Sequence, residues 1–386
     1  MKAIINATVI SGGRAWPDHA VVFDHKIRAV GPTRQVQAWP IEELVDAEGL
    51  IVTPGLIDIH IHGCGGYDTM DATPEALESM ATCLTQYGVT SFVPTTMTTE
   101  WGEILRALSN ARRSYQQQSH SSQGLDAGKV RARILGVHLE GPFLNPEFKG
   151  AHVVEHLSLP NLEIIADYLD VIRIITLAPE LPGSRAFLEQ LSAHPWIVAA
   201  MGHSGASYDT AKEAIALGVR HTTHLFNAMP PLHHRQPGII GAVLAGGLSA
   251  ELIADNLHVH PSIYSLLHKT HGSQCLVLVS DSMRAAGLGD GEYEFGGQRV
   301  RVAEAAARLP DGTLAGSVLT LNQAVVNFQR ATGCPLAEAI ALASRNPARL
   351  LGLEQHIGDL AVGMEADIVL MDGDGQVRRT FVAGRG

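Results

Sequence analysis

The chain has 386 residues, 46% of them hydrophobic, and a formal net charge of -11 at pH 7. That is apolar material for one large domain or two to three ordinary ones, and no stretch reaches the roughly 18 consecutive apolar residues of a membrane span. The acidic balance excludes polyanion binding, which needs a broad basic face, but leaves room for a small anionic substrate that needs only a few local donors.

In chain order, residues 2–10 are predicted to be a strand of the mature protein, because the opening residues lack the long apolar core of an export signal. Residues 20–30 read as a second strand. From about Gly55 onward, β-branched or apolar runs alternate with helical segments. The predicted strands are 56–59, 90–94, 134–139, 171–177, 197–201, 219–223, 250–254 with an extension to 257, and 276–279. The predicted helices are 74–87, 99–117, 162–169, 184–193, 209–217 and 261–269, and residues 116–123, rich in Gln and Ser, read as a mobile polar surface loop. A β-hairpin insertion over 293–314 precedes helices at 318–332 and 335–346, and short strands at 366–371 and 377–382 close the chain.

Repeated β-α units predict a closed (β/α)8 TIM barrel over residues 55–354, with its chemistry at the C-terminal ends of the strands. The strands at both termini predict one small β-sandwich domain, 1–54 plus 355–386. The four cysteines, Cys64, Cys83, Cys275 and Cys334, form no CxxC pair, which argues against disulfides or a thiolate zinc site and for a cytoplasmic protein.

Polar residues gather at the strand ends. In Asp58-Ile59-His60-Ile61-His62, the period-two alternation of a strand sends Asp58, His60 and His62 to one side. Later runs end in His138-Leu139-Glu140-Gly141-Pro142, Gly202-His203-Ser204, His221-Thr222-Thr223-His224 and Ser280-Asp281. Imidazoles and carboxylates in one register suit a divalent metal that keeps a position open for water. Such water is a nucleophile near neutral pH, and a carboxylate on the last strand can shuttle its proton. Singly, each residue has an ordinary reading: satisfied core histidines for His60, His62, His203 and His224, and a helix cap for Asp281. His138 reads as packing beneath Glu140, Cys64 as a small buried residue, Arg235 and His258 as surface groups, and His233 and His234 as loop residues. The shared register favours the metal site.

Taken together, Pro54-Gly55-Leu56-Ile57-Asp58-Ile59-His60-Ile61-His62-Gly63, His138-Leu139-Glu140-Gly141-Pro142, Gly202-His203-Ser204, Thr223-His224-Leu225-Phe226-Asn227-Ala228-Met229 and Ser280-Asp281 resemble the amidohydrolase superfamily. Within it they are similar to the N-acetylglucosamine-6-phosphate deacetylase family, a likeness that extends to Lys149-Gly150-Ala151-His152, 233–238, 311–317 and 358–367. The resemblance implies that Glu140, His203 and His224 hold the main metal and that Asp281 acts as general base and then general acid. It also implies that His152 donates to the acetyl carbonyl oxygen, and that Asn227, the backbone of Ala228, Arg235, His258 and Leu314 meet the sugar phosphate. Because the matching arginine reaches into a neighbouring subunit's site in that family, a homodimer is implied.

Some members replace the first two histidines by amides and use one metal, whereas this chain keeps His60 and His62, so one or two ions are expected, with Glu140 as the bridge. Zn2+ fits these donors, as do Fe2+ and Mn2+. The implied reaction is hydrolysis of N-acetylglucosamine 6-phosphate to glucosamine 6-phosphate and acetate. The alternatives are the N-acetylgalactosamine epimer as substrate, or a non-catalytic protein that kept the fold.

Overall fold

The computed structural model describes residues 1–120 and 130–386. Among the described residues eight parallel strands organise it, β1 (Leu56–Ile61), β2 (Val89–Pro94), β3 (Val137–Glu140), β4 (Ile172–Leu177), β5 (Val198–Met201), β6 (His221–Thr222), β7 (Ser249–Ile253) and β8 (Leu276–Val279), with the two-residue strand Arg133–Ile134 paired in parallel to β2 just ahead of β3. Every predicted run overlaps one of them. Sequences such as Leu-Val-Leu-Val in β8 are buried at every residue, the pattern of parallel strands covered on both faces.

β1 pairs with β2, and β3 to β8 pair in sequence order. A parallel bridge from Thr95 to His138 joins β2 to β3, and another from Ile61 to Ser282 returns the end of β8 to β1. The curled parallel sheet therefore meets itself, which fits a TIM-like barrel. Helices cross between the strands, several with side-chain caps: Thr73 accepts from the backbone N–H of Ala76 ahead of Pro74–Thr85, and Ser207 from that of Thr210 ahead of Tyr208–Ala216.

Both termini share one sheet, in the order Val377–Phe381, Ile368–Met371, Ile51–Pro54, Lys2–Ser11, Arg14–Phe23, Ile27–Pro32, with Glu43–Asp46 paired beside Lys2–Ser11. It has its own apolar cluster, in which Ile4, Val21, Phe23 and Val52 meet Leu360, Ile368 and Phe381.

Several expectations need correction. Residues 20–30 are not one strand: the chain turns at Asp24–Lys26, where the Lys26 N–H donates to Asp24 Oδ1 at 2.8 Å. Residues 162–169 form a 3-10 turn over Glu163–Tyr168, and 335–346 split into helices Leu336–Leu342 and Arg345–Leu350. Residues 116–120 belong to the helix Trp101–His120 and not to a loop, and 121–123 lie outside the described residues. A helix at Gly238–Gly246 was not anticipated, because Gly-Ile-Ile-Gly-Ala-Val-Leu-Ala-Gly is apolar nearly all round and carries no periodicity. The predicted hairpin is three antiparallel strands, Gly291–Phe295, Gln298–Ala303 and Ala306–Arg308, and its Phe295 ring packs edge-on against His62 with centroids 5.0 Å apart.

Candidate metal centre

Glu140, at the end of β3, is buried and faces four imidazoles with its two oxygens divided between them. Its Oε1 lies 3.2 Å from His203 Nε2 and 3.0 Å from His224 Nε2. Its Oε2 lies 3.1 Å from His62 Nε2 and 3.3 Å from His60 Nε2. Asp281 Oδ1 completes the second group, 3.4 Å from His60 Nε2 and 3.3 Å from His62 Nε2. Two donor clusters thus share one carboxylate.

The strands deliver these groups by stopping where they do. His203, His224 and Asp281 each follow a strand end and adopt left-handed backbone, with φ of 48°, 29° and 47°. Such positions cost roughly 1–3 kcal/mol each and persist where the surroundings hold them, commonly at functional sites. Gly150, at φ +56°, lies so close to the site that a Cβ there would sit 3.1 Å from His203 Cε1.

The donor chemistry fits a cation. His203 Nδ1 donates to Phe148 O at 2.9 Å and His60 Nδ1 to Glu251 Oε2 at 2.8 Å, which turns each Nε2 lone pair toward Glu140. The Nε2 atoms of His203 and His224 are 3.0 Å apart, and those of His60 and His62 3.4 Å. Two lone pairs that close repel unless something positive lies between them. Burial opposes the charge on Glu140, but the imidazoles around it, His60 first and then His203 and His224, hold it well below the usual carboxylate range. Burial likewise opposes ionisation of Asp281, yet His60 and His62 keep it below its ordinary value. Against burial, Asp281 and Glu140 lift His62 to about 9. A divalent ion answers the same negative charge without borrowing protons.

His152 Nε2 is 3.7 Å from Glu140 Oε2. Its Nδ1 accepts from the Thr98 backbone N–H at 3.3 Å and lies 2.8 Å from Thr98 Oγ1. Burial, with the His203 imidazole beside it, pushes its pKa well below the usual value. The ring is therefore neutral, with its proton on Nε2.

A cavity of about 380 Å³ opens above this floor, lined by His62, Glu140, His152, His203, His224 and Asp281 and walled by Asn227, Ala228, His258 and Leu314. His258 is held by Asp255, with Nδ1 2.6 Å from Oδ2. All but two of the expected site residues line this space. His60 lies just beneath it, and Arg235 is exposed in the 233–236 loop, outside the lining. His138 stays below the cluster, its Nε2 2.7 Å from Thr176 Oγ1 and its pKa driven by burial to about 3, while the buried Cys64 thiol turns to Met80 O. Asp58 also sits below, pushed by burial to about 7, and accepts from the backbone N–H of His60 and of Ser280.

Two residues escaped the sequence reading. Glu251, fully buried on β7, touches His60, His221 and the backbone of His224. Its one signal was a single charge inside a run that must be buried on both faces. Arg308, from the last strand of the 291–308 segment, is the one Lys or Arg that lines the cavity among the described residues. No local pattern marks it.

The amidohydrolase family model matches residues 51–385. The chain is 40% identical over 368 residues to an N-acetylglucosamine-6-phosphate deacetylase of Bacillus subtilis, covering 94% of this chain and 91% of that protein. It is 34% identical over 391 residues to an N-acetylgalactosamine-6-phosphate deacetylase of Escherichia coli O157:H7, covering 100% and 99%. The crystal structure of N-acetylglucosamine-6-phosphate deacetylase from Pasteurella multocida superposes with a TM-score of 0.91 at 31% identity, covering 100% of this chain and 98% of that one. With a shared carboxylate between two histidine pairs at the ends of parallel strands, and with this match across almost its whole length, the chain belongs to the amidohydrolase family.

Proposed function

We propose that the protein hydrolyses the N-acetyl group of N-acetylglucosamine 6-phosphate, releasing glucosamine 6-phosphate and acetate. The observation that carries this is the division of Glu140 between His203 with His224 and His60 with His62, at the floor of a cavity that also holds Asp281 and His152. Glu140, His203 and His224 would hold one divalent ion, and His60, His62 and Glu140 a second. Zn2+ is the first choice, and Fe2+ or Mn2+ suit the same donors. When bound, such an ion would supply a Lewis acid for the amide carbonyl and would lower the pKa of water.

Asp281, held ionised, takes the proton of the attacking water and passes it to the amide nitrogen, which leaves only as an amine. His152 donates a hydrogen bond from its Nε2–H to the carbonyl oxygen as negative charge builds there, and keeps its proton. Asn227, the backbone of Ala228, His258 and Leu314 seat the sugar phosphate. Arg235, which lies outside its own chain's cavity, is assigned to the site of a second copy in a homodimer.

The same reading takes residues 55–354 as a closed (β/α)8 barrel and 1–54 plus 355–386 as a small β-sandwich. The return bridge from Ser282 to Ile61 and the separate apolar cluster of the termini support it. The same reading takes the enzyme as cytoplasmic; among the described residues no helix is long and apolar enough to cross a membrane.

One relative bears the name of the N-acetylgalactosamine 6-phosphate enzyme, so that epimer is the competing substrate. Elemental analysis of the purified protein, coupled to acetate release from both phosphorylated sugars and from unphosphorylated N-acetylglucosamine, tests the proposal. The highest kcat/KM on N-acetylglucosamine 6-phosphate is expected. No acetate from either phosphorylated sugar, with the ions in place, would overturn it.

A further inference from the structure

We propose that Glu251 is a positioning residue that couples the two cation positions from behind, as Glu140 joins them in front. The inference rests on the metal-dependent reading above. Glu251 is fully buried on β7, and three donors from other parts of the chain converge on its carboxylate. His60 Nδ1 lies 2.8 Å from Oε2, and the backbone N–H of His224 donates to the same oxygen at 3.0 Å. His221 Nε2 lies 3.1 Å from Oε1, while its Nδ1 is 3.0 Å from Ser249 Oγ.

Each contact has a consequence for one cluster. The bond to His60 Nδ1 puts that proton on the far nitrogen and leaves Nε2 as the ligand, which fixes the ring's tautomer and plane. The bond to the His224 amide pins a residue with left-handed backbone, φ 29°, whose Nε2 meets Glu140 Oε1. A single side chain thus orients a ligand in each position. As a plain core residue Glu251 would be a poor choice, since a buried carboxylate carries a desolvation cost that an apolar strand residue avoids. Orientation of the ligands accounts for its presence.

Glu251→Gln keeps the shape but removes the charge that strengthens the bonds to His60 and to the His224 amide, and leaves one acceptor oxygen for three donors. Metal-free wild type and variant would be titrated with Zn2+ against a competing chelator, with bound zinc counted after dialysis and apo-protein unfolding followed in parallel. We expect two Zn2+ per wild-type subunit and, in the variant, affinity lowered about 10- to 100-fold at both steps, the usual effect of losing a partner behind a ligand. Nitrogen NMR of the apo variant should also show His60 losing its fixed Nδ1-protonated form. An unchanged isotherm, or loss at one step alone, would overturn the coupling. If the Gln variant does not fold, Glu251→Asp is read by the same two criteria, because its shorter reach lengthens both bonds while keeping the charge. A wild type that binds no zinc would sink the metal reading together with this inference, whereas a wild type that binds zinc while both variants match it would sink this inference alone.

Discussion

Replacing Asp281 by Asn tests the chemistry most directly, because the substitution removes the proton acceptor, and with it the charge facing His60 and His62, while keeping the side chain's shape. Asn has the same shape and tolerates left-handed backbone better than most residues, so the φ of 47° is no obstacle. The two backbone bonds at this position, Asp281 N–H to His60 O at 2.9 Å and Ser317 N–H to Asp281 O at 2.8 Å, do not involve the side chain. Stability should therefore stay within about 1 kcal/mol of wild type. General acid-base catalysis contributes about 10²- to 10⁴-fold, and here one group both accepts and returns the proton, so kcat should fall by at least that range, about 3 to 5 kcal/mol of barrier. Glu140, His203 and His224 remain, so their ion should stay bound and KM should change little. Acetate release, elemental analysis and thermal unfolding on one preparation give all three readings. A folded, metal-loaded variant with kcat within tenfold of wild type would refute the proton-shuttle role.

Removing the ions with a chelator should abolish acetate release, and adding back Zn2+, Mn2+ or Fe2+ should restore it; activity that survives verified metal loss would rule out the cation chemistry. Arg308 lines the cavity and is the cation there that could meet a phosphate, so Arg308→Gln should lower the ratio of kcat/KM for phosphorylated over unphosphorylated N-acetylglucosamine by about 10- to 100-fold, the value of one hydrogen bond to a charged group. An unchanged ratio would remove Arg308 from phosphate recognition. Asp255 gives a pH test with a defined sign. Burial opposes its charge, but bonds from His258 Nδ1 and the backbone N–H groups of His258 and Leu257 hold it below 3.8. Its contribution to stability is therefore present above the unfolded-state value and is lost as pH falls through the folded-state value. Asp255→Asn should cost about 2 kcal/mol at neutral pH and progressively less in acid, read by thermal unfolding across pH. A deficit that grows in acid would contradict the assignment.

Much of the site was legible because its signals are local. The alternation in Asp58-Ile59-His60-Ile61-His62 and the placement of Glu140, His203, His224 and Asp281 just where apolar runs stop are visible within a few residues. The helix at Gly238–Gly246 was not legible, since an apolar segment without periodicity gives no face to detect. The helical state of residues 116–120 was hidden as well, because a Gln- and Ser-rich composition describes a helix end as readily as a loop.

Sequence alone determined which groups could serve as donors and that they would gather at one end of a parallel sheet, because strand period and run length are properties of neighbours in the chain. Only the tertiary structure decided how they divide. The two oxygens of Glu140 meet partners 80, 63 and 84 residues away, and Glu251 reaches His60 across 191. It also left Arg235 outside its own cavity and brought Arg308 to the wall. Such pairings arise when the curled sheet returns β8 to β1 and loops from distant segments are packed over its open end, a constraint that no local pattern encodes.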